Sequence, residues 1–193
     1  MSNLAYKLDD SFTYADYLSW DDGERYEIID GVVYAMASPI AVHQRISMEL
    51  AGAIWEFLKD KPRRSCEVFH APFDVRLFPE DDDSDDTVVQ PDLLVVCDQS
   101  KLADGKACKG APDLIIEILS PSSVIMDRKV KAEKYLEAGV REYWIVNSET
   151  LDILVNRLAD GRYAPTLYKD IVVSSVLPGL TVNLDAVRAN VEG

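Results

Sequence analysis

Residues 113–120 read DLIIEILS, and this stretch decides the fold. Apolar residues fill positions 114–119 except for Glu117, as expected of a strand at the centre of a sheet that is covered on both faces. A buried carboxylate without a partner costs several kcal/mol of folding free energy. The stretch therefore predicts a central strand and, at Glu117, a side chain that needs a partner.

The segments on either side of this strand predict one mixed sheet flanked by helices. A helix is expected from about Val124 to Ala138, closed by Gly139, and a strand at 141–146 follows directly. Hydrophobic periodicity and turn residues predict further elements: a helix at 13–20 capped by Thr13, a hairpin of 26–29 and 32–36 around Asp30-Gly31, a helix from Pro39 to Pro62 capped by Ser38, strands at 68–77 and 88–96, and a meander at 151–168. This order predicts an α/β (α+β) fold with a C-terminal β-meander, and a length of 193 residues predicts a single domain, 1–193.

The charge balance bears on the class of partner. The chain has 34 acidic and 20 basic residues, a formal net charge of −14. Six of the acidic residues lie in the tract 80–86, which is expected to be a solvated loop. A protein that coats nucleic acid or membranes through bulk positive charge is therefore disfavoured.

The cysteines and the apolar runs bear on the compartment. Cys66, Cys97 and Cys108 form neither a CxxC pair nor an even set, which is typical of a reducing compartment and argues against a disulfide scaffold or a zinc ribbon. No apolar run approaches the roughly 20 residues that span a bilayer, and no basic stretch followed by an apolar one opens the sequence. A cytoplasmic protein without membrane contact is expected.

Three acids interrupt apolar or strand-like segments: Glu27, Asp92 and Glu117. Each alone could be a solvated strand end or the partner of a surface lysine. Together they indicate a cation site, because two carboxylates about 4 Å apart repel by about 4 kcal/mol at an effective dielectric of 20. Few hard oxygen ligands, with room for water, suit Mg²⁺ or Mn²⁺ better than zinc.

The helix after Glu117 adds a positive charge to this set. Asp127, Lys131 and Tyr135 are spaced at i, i+4 and i+8 and so share one helix face. Asp127 followed by Lys131 is also the favourable order for an ordinary helical salt bridge. Because the connection from the strand is short, Lys131 could instead point back toward the carboxylates, and both interpretations are open.

These residues resemble those of two related groups of nucleases. Pro91-Asp92 with Glu117-x-Leu119 resembles the PD-(D/E)xK nuclease superfamily, and the stretch from Tyr26 to about Leu184 resembles the Uma-two family of restriction endonucleases, a domain of unknown function. The segments that carry the second resemblance are Tyr26-Glu27-Ile28-Ile29-Asp30-Gly31, Met36-Ala37-Ser38-Pro39 with His43, Val89-Gln90-Pro91-Asp92, Glu117-Ile118-Leu119-Ser120-Pro121-Ser122, Asp127 with Lys131 and Tyr135, and Gly139-Val140-Arg141-Glu142-Tyr143-Trp144. The resemblance implies a restriction-endonuclease-like core at about 24–184.

The resemblance also implies the metal ligands. Asp92 and Glu117 would bind Mg²⁺ or Mn²⁺, with the carbonyl of Ile118 and the carboxylate of Glu27 as additional ligands. His43 would contact a phosphate or relay a proton. Asp74 is not part of the resemblance, but from its position in Pro72-Phe73-Asp74-Val75 it could face the same cleft as an auxiliary residue. DNA as substrate and a homodimer are implied as well.

Leu119 stands where the simple superfamily motif has lysine. Strand alternation places it beside Glu117, so the role of that lysine must be vacant or filled from elsewhere. The resemblance implies that the lysine has moved to the following helix, where Lys131 matches it. Lys129 and Lys134, on other faces, are the fallbacks.

Two functions follow from these residues. The first is a metal-dependent endonuclease acting on DNA, whose affinity would come from two basic clusters: Lys59, Lys61, Arg63 and Arg64, and Arg128, Lys129, Lys131 and Lys134. The second is a catalytically weak or inactive nuclease-fold module for binding or regulation, which Leu119 and the net charge favour.

Overall fold

The computed structural model describes residues 5–6, 11–61, 66–120 and 126–192. Within these ranges the strands are β1 (Ala5–Tyr6), β2 (Tyr26–Ile29), β3 (Val32–Ala35), β4 (Glu67–His70), β5 (Val75–Arg76), β6 (Val88–Val89), β7 (Leu93–Val96), β8 (Cys108–Lys109), β9 (Leu114–Leu119), β10 (Glu142–Asn147), β11 (Ile153–Ala159), β12 (Arg162–Tyr168), β13 (Ile171–Val173) and β14 (Thr181–Asn183). The α-helices are α1 (Tyr14–Tyr17), α2 (Ala41–Lys59), α3 (Ala132–Ala138) and α4 (Leu184–Glu192). A 3₁₀-helix covers Gln99–Leu102 and a π-helix covers Met126–Lys131.

The predicted central strand, β9, lies inside a six-stranded mixed sheet. The strand order of this central sheet is β12-β11-β10-β9-β7-β4. Only the β9–β10 pair is parallel within it, with Glu117 opposite Ile145, and the other pairs are antiparallel. A parallel pair needs a crossover connection, which here contains the π-helix and α3. The predicted mixed sheet, helices and C-terminal meander are confirmed, but the prediction of a single sheet is wrong, because other strands of the chain pair into a separate six-stranded sheet.

A second six-stranded sheet covers one face of the central sheet. Its order is β1-β3-β2-β6-β5-β8, and it contains the predicted hairpin β2–β3. Ile115 and Leu119 of β9 pack in the apolar layer between the two sheets. Leu114, Ile116 and Ile118 pack on the opposite face, against α2 and α4. Strand alternation therefore turns the side chain of Glu117 toward the second sheet.

Helix boundaries differ from the predicted ones. Helix α1 is shorter than predicted, but Thr13 caps it in a capping box with Asp16. Helix α2 begins at Ala41 rather than at Pro39, and its first residue is preceded by Ile40 without a side-chain cap. The prediction of Ser38 as cap is therefore wrong, because the chain stays extended for two more residues.

The third predicted helix is only partly α-helical. Its first two residues lie outside the described residues, and α-helical geometry starts at Ala132, after the π-helix. Gly139 ends it in the left-handed conformation, as predicted. Hydrophobic spacing indicates that a segment is helical, but it does not separate a π turn from α turns over so short a segment.

Two of the three cysteines form a disulfide. Cys66 and Cys97 are bonded, and Cys108 is free and buried. They flank the antiparallel pair β4–β7, in which Glu67 lies opposite Val96, so the register places the cysteines opposite each other. The number and spacing of the cysteines argue against a disulfide scaffold but do not reveal this bond, because the register brings together residues 31 positions apart.

The prediction that the acidic tract is a solvated loop is only partly correct, because Asp85 is buried. Arg76 of β5 is buried and its Nε donates to Asp85 Oδ2 at 2.9 Å, while Asp83 lies 2.7 Å from Nη1. The guanidinium also lies over the ring of Tyr14, at 4.3 Å from the ring centroid. Asp85 is therefore a buried ion-pair partner that fastens this loop to the second sheet.

The helices of the structure can be compared with the length and apolar character of a membrane-spanning helix. Among the described residues, no helix combines the length and the apolar character that a bilayer crossing requires.

Candidate active site

Four carboxylates and one ammonium line a cavity of about 360 Å³ between the two sheets and the start of α2. Glu117 comes from β9, Asp92 immediately precedes β7, and Glu27 comes from β2. Asp127 and Lys131 come from the π-helix. The structure therefore brings the four predicted residues Glu27, Asp92, Glu117 and Lys131 to one place, and adds Asp127.

Lys131 lies at the centre of three of these carboxylates. Its Nζ is 2.8 Å from Glu27 Oε1, 3.0 Å from Glu117 Oε1 and 3.6 Å from Asp127 Oδ1. Burial lowers the pKa of Lys131, but the charges of Glu117, Glu27 and Asp127 raise it more, so the net pKa is well above its usual value. Lys131 is therefore an ammonium and not a proton acceptor near neutral pH.

The π-helix places Asp127 and Lys131 on the inner side. Both side chains are buried, whereas Arg128 and Lys129 between them are exposed. The hydroxyl of Tyr143 donates to the carbonyl oxygen of Asp127 at 2.9 Å and so holds the start of this turn. A π turn is often found where a helix aims side chains into a functional site.

Glu117 is buried and each of its oxygens accepts a hydrogen bond. Oε1 accepts from Lys131 Nζ and from the hydroxyl of Tyr135 at 2.7 Å, and Oε2 accepts from the main-chain N–H of Asp92 at 3.3 Å. Burial raises the pKa of Glu117, Lys131 lowers it, and the neighbouring carboxylates of Asp127 and Asp92 raise it again, with a net increase. Burial is therefore the main reason that the ionised form of Glu117 is disfavoured.

Asp92 is linked to both β9 and α2. Its Oδ2 accepts from the N–H of Ile118 at 2.7 Å and lies 3.1 Å from His43 Nε2. Its Oδ1 accepts no hydrogen bond from any described residue and remains available to a ligand.

His43 lines the cavity in the first turn of α2, and its Nδ1 is buried without a partner among the described residues. Burial lowers the pKa of His43, but its hydrogen bond to Asp92 and the charge of that carboxylate raise it more.

Glu27 is held by the residue that precedes the Pro91-Asp92 pair. Its Oε1 accepts from the N–H of Gln90 at 2.8 Å as well as from Lys131. The side chain of Gln90 donates in turn to Asp74 Oδ1 at 2.8 Å and to the Tyr17 hydroxyl at 2.9 Å. Asp74, the predicted auxiliary residue, is therefore linked to the carboxylate cluster, among the described residues, only through Gln90.

Sequence reasoning missed part of this constellation. It identified Asp127 and Tyr135 only as neighbours of Lys131 on one helix face, although one pairs with Lys131 and the other hydrogen-bonds Glu117. Their shared spacing with Lys131 was the available signal. Gln90 carries no such signal, because it reaches Glu27 through its main chain.

The ligand atoms around the cavity can be compared with those that a divalent cation prefers. Four carboxylates against one ammonium and the guanidinium of Arg25 leave an excess of negative charge in the cavity. Among the described residues, no group of three or more His, Cys, Asp or Glu side chains has an arrangement that could hold a metal ion. Two carboxylates, Asp92 and Glu117, with the carbonyl of Ile118 fit a hard ion that keeps several waters, as Mg²⁺ does. They do not fit a zinc site closed by protein ligands.

The fold and the site define a mixed α/β protein with a buried centre of carboxylates and lysine. The chain matches the profile of the family described as "Uma2: Putative restriction endonuclease" over residues 14–186. It belongs to this family, and the resemblance identified from the sequence is confirmed.

Two proteins illustrate the similarity. The chain is 28% identical over 154 residues to the uncharacterized protein slr1290 of Synechocystis sp., covering 77% of this chain and 75% of that protein. It is also similar to a crystal structure described as a "putative nuclease belonging to DUF820" from Anabaena variabilis, with a TM-score of 0.73 and 20% identity over 93% of this chain and 99% of that one. At this identity the second similarity supports the fold.

Proposed function

We propose that this protein is a metal-dependent endonuclease that hydrolyses phosphodiester bonds of DNA. The family supports a nuclease. The observation that carries the proposal is the position of Lys131 Nζ, within 3.6 Å of three carboxylates in a cavity that Asp92 also lines. This arrangement joins two acids from neighbouring strands of the central sheet to an ammonium from the following helix.

In this proposal Asp92 and Glu117 hold Mg²⁺ or Mn²⁺, with the Ile118 carbonyl and the second oxygen of Glu27 as further ligands. When bound, the metal would lower the pKa of a water molecule and neutralise charge on the phosphate. Oδ1 of Asp92 and Oε2 of Glu27 are suited to this role, because neither accepts a hydrogen bond from a described residue.

Lys131 and His43 would act on the substrate. Lys131, held as an ammonium by its three carboxylate neighbours, would stabilise the negative charge that develops on the phosphoryl oxygens. His43, anchored by Asp92, has a second ring nitrogen without a partner at the cavity. It would contact a phosphate oxygen or relay a proton.

Several members of the two basic clusters are already paired or buried within the described residues. Lys59 pairs with Glu56, and Lys134 pairs with Asp30 and Glu137. Lys131 is buried, so Arg128 and Lys129 are the exposed members of the second cluster. Arg63 and Arg64 lie outside the described residues. Lys61, Arg128 and Lys129 are therefore the exposed described members of the two clusters that remain for contact with phosphate.

A second candidate function is a catalytically weak or inactive module for binding or regulation. Leu119 favours it, since this residue packs in the apolar layer between the sheets at the position of the motif lysine. In such a module Lys131 would only neutralise the carboxylates.

Cleavage of supercoiled plasmid at low salt with Mg²⁺ or Mn²⁺ tests the proposal and separates the two functions. Asp92→Ala and Lys131→Ala should each lower the nicking rate by about 100-fold or more, as loss of a charge-stabilising group does in other enzymes. Lys106→Ala is the matched control, because this lysine is exposed, does not line the cavity and belongs to neither basic cluster, and it should cleave at the wild-type rate. A thermal melt checks that each variant is folded.

Two outcomes would contradict the proposed endonuclease. Cleavage that survives both substitutions would show that the reaction occurs elsewhere or in a contaminant. Metal binding by the wild-type protein, without cleavage of duplex, branched or single-stranded DNA, would favour the module.

A further inference from the structure

Arg25 lines the same cavity but takes no part in the carboxylate cluster. It precedes β2 and lies two residues before Glu27. It forms no ion pair with any described residue. Its Nη2 is buried and has no hydrogen-bond partner there, while Nη1, also without a partner, is accessible. A buried N–H without a partner costs about 1–3 kcal/mol, so a ligand that supplies acceptors would be favoured at this end of the side chain.

The guanidinium is held in place from its other end. Arg25 Nε donates to Gln90 Oε1 at 2.9 Å. The amide of Gln90 is fixed in turn, because its Nε2 donates to Asp74 and to Tyr17. The main chain is anchored as well, since Met36 N–H donates to the Arg25 carbonyl at 2.9 Å. With Nε occupied, the free edge of the fork is the one formed by Nη1 and Nη2.

The chemistry of this edge selects the ligand. Two parallel N–H donors on a planar cation match an anion with two acceptor oxygens, and phosphate is such an anion. Gln90 links this edge to the cluster, because its main-chain N–H binds the same Glu27 oxygen that contacts Lys131. A phosphate on Arg25 would therefore lie in the cavity that contains the proposed reactive centre.

We propose that Arg25 binds a backbone phosphodiester group of DNA through Nη1 and Nη2, and that Gln90, Tyr17 and Asp74 position it for this contact. The assignment to DNA rests on the proposed function, whereas the free guanidinium edge does not. Arg25 is thus a substrate-binding residue of the cavity. Its positive charge would attract phosphate to a protein whose net charge of −14 otherwise opposes DNA binding.

Equilibrium binding tests this assignment without requiring cleavage. Fluorescence anisotropy is measured with a labelled DNA duplex and with the same labelled strand alone, with Ca²⁺ in place of Mg²⁺, and a gel confirms that the probes stay intact. The proteins are the wild type, Arg25→Gln, Arg25→Lys and Arg162→Gln. The last is the matched control, because Arg162 is an exposed arginine on β12 outside the cavity.

Arg25→Gln should raise the Kd for both probes by about 10-fold. Loss of one phosphate contact should also make the plot of log K against log salt shallower by about 0.7–0.9. Arg25→Lys, which keeps the charge but loses the fork, should raise the Kd by about 3-fold. Arg162→Gln should stay within about 2-fold of wild type with an unchanged salt slope.

An equal effect of Arg25→Gln and Arg162→Gln would overturn the assignment, and so would a wild-type protein that binds neither probe. If Arg25→Gln does not fold, Arg25→Lys decides, and an unchanged Kd overturns the assignment. Wild-type binding that depends on Arg25, together with an uncut plasmid in Mg²⁺ and Mn²⁺, would retain the phosphate contact and reject the endonuclease.

Discussion

At the scale of single residues, the position of Lys131 shows how the cavity balances its charges. It contacts three carboxylates within 3.6 Å and leaves one oxygen of Asp92 unbound by described residues. Replacing the ammonium leaves the buried carboxylates without their positive partner. In buried ion pairs, loss of one partner lowers the free energy of unfolding by about 3–5 kcal/mol. Loss of activity in Lys131→Ala must therefore be compared with its melting temperature.

The sequence predicts which residues meet better than how they bind. Glu27, Asp92 and Glu117 stand out because each is an acid in an apolar or strand-like segment, and Lys131 stands out through its spacing. The bond of Glu27 to Gln90 N–H cannot be predicted in this way, since a main-chain donor has no sequence signature. The buried pair of Arg76 and Asp85 is hidden for a different reason, because one acid of a charged tract resembles the others.

The cysteines provide a prediction at the residue scale. Under non-reducing conditions the folded protein should show no thiol that reacts with Ellman's reagent, because Cys66 and Cys97 are bonded and Cys108 is buried. Burial also raises the pKa of the Cys108 thiol to about 12, which removes the reactive thiolate at pH 8. In denaturant, one thiol should react before reduction and three after it.

A Cys108→Ser variant supplies the background for this count. Three reactive thiols in denaturant without reduction would contradict the disulfide. One reactive thiol in the folded wild type would contradict the burial of Cys108.

At the scale of elements, the two hairpins that use Asp-Gly turns show how much a turn motif can predict. Asp30 and Gly31 have φ of 51° and 73°, and Asp160 and Gly161 have φ of 50° and 74°. Both pairs have the positive φ values of type I′ turns, as the sequence predicts for the first hairpin. The surroundings differ, because a Cβ placed on Gly31 would clash with Ser11, whereas a Cβ placed on Gly161 would meet no described atom within 4 Å. The motif predicts the turn but not this contact.

These two glycines form a matched pair for a stability measurement. Gly161→Ala should lower the free energy of unfolding by about 1 kcal/mol, because alanine is strained at positive φ. Gly31→Ala carries the same strain and adds a clash of its Cβ with Ser11 Oγ, so it should cost about 1–3 kcal/mol more. Urea unfolding of both variants measures the difference. Equal losses would contradict the packing of Ser11 against the turn.

The π-helix marks the limit of element prediction near the site. Spacing at i, i+4 and i+8 correctly places Asp127, Lys131 and Tyr135 on the side of the cluster, since all three are buried. It does not reveal that α-helical geometry begins only at Ala132. The wider turn matters for function because it belongs to the segment that carries Lys131 into the cavity.

At the scale of the whole molecule, the site lies where the layers of the fold meet. The central sheet supplies Glu117, the second sheet supplies Glu27, and the crossover between two parallel strands supplies Lys131. Hydrophobic patterning predicts the central sheet, because β7 and β9 are near-continuous apolar runs. The facing of two six-stranded sheets depends on long-range pairing that the pattern alone does not specify. The single domain, the homodimer and the cytoplasmic location stay predictions of the sequence.

Metal binding should stabilise the folded molecule as a whole, since a ligand that binds the folded state alone shifts unfolding by mass action. At a free Mn²⁺ or Mg²⁺ concentration of 100 times Kd the gain is about 2.7 kcal/mol, which for a chain of this size corresponds to a rise in Tm of about 5–10 °C. Differential scanning fluorimetry in metal and in EDTA measures this rise. Asp92→Asn should abolish it, because the amide removes the charge of a proposed ligand at nearly unchanged shape.

The acidic surface requires a control in this measurement, because divalent ions also accumulate around a protein with a net charge of −14. Asp82→Asn removes the same charge from the exposed part of the acidic tract and should leave the rise in Tm unchanged. An equal loss in Asp82→Asn and Asp92→Asn would mean that the metal acts through the surface. An undiminished rise in Asp92→Asn would remove Asp92 from the metal site, and the excess negative charge around Glu117 would then need relief from a proton rather than a cation.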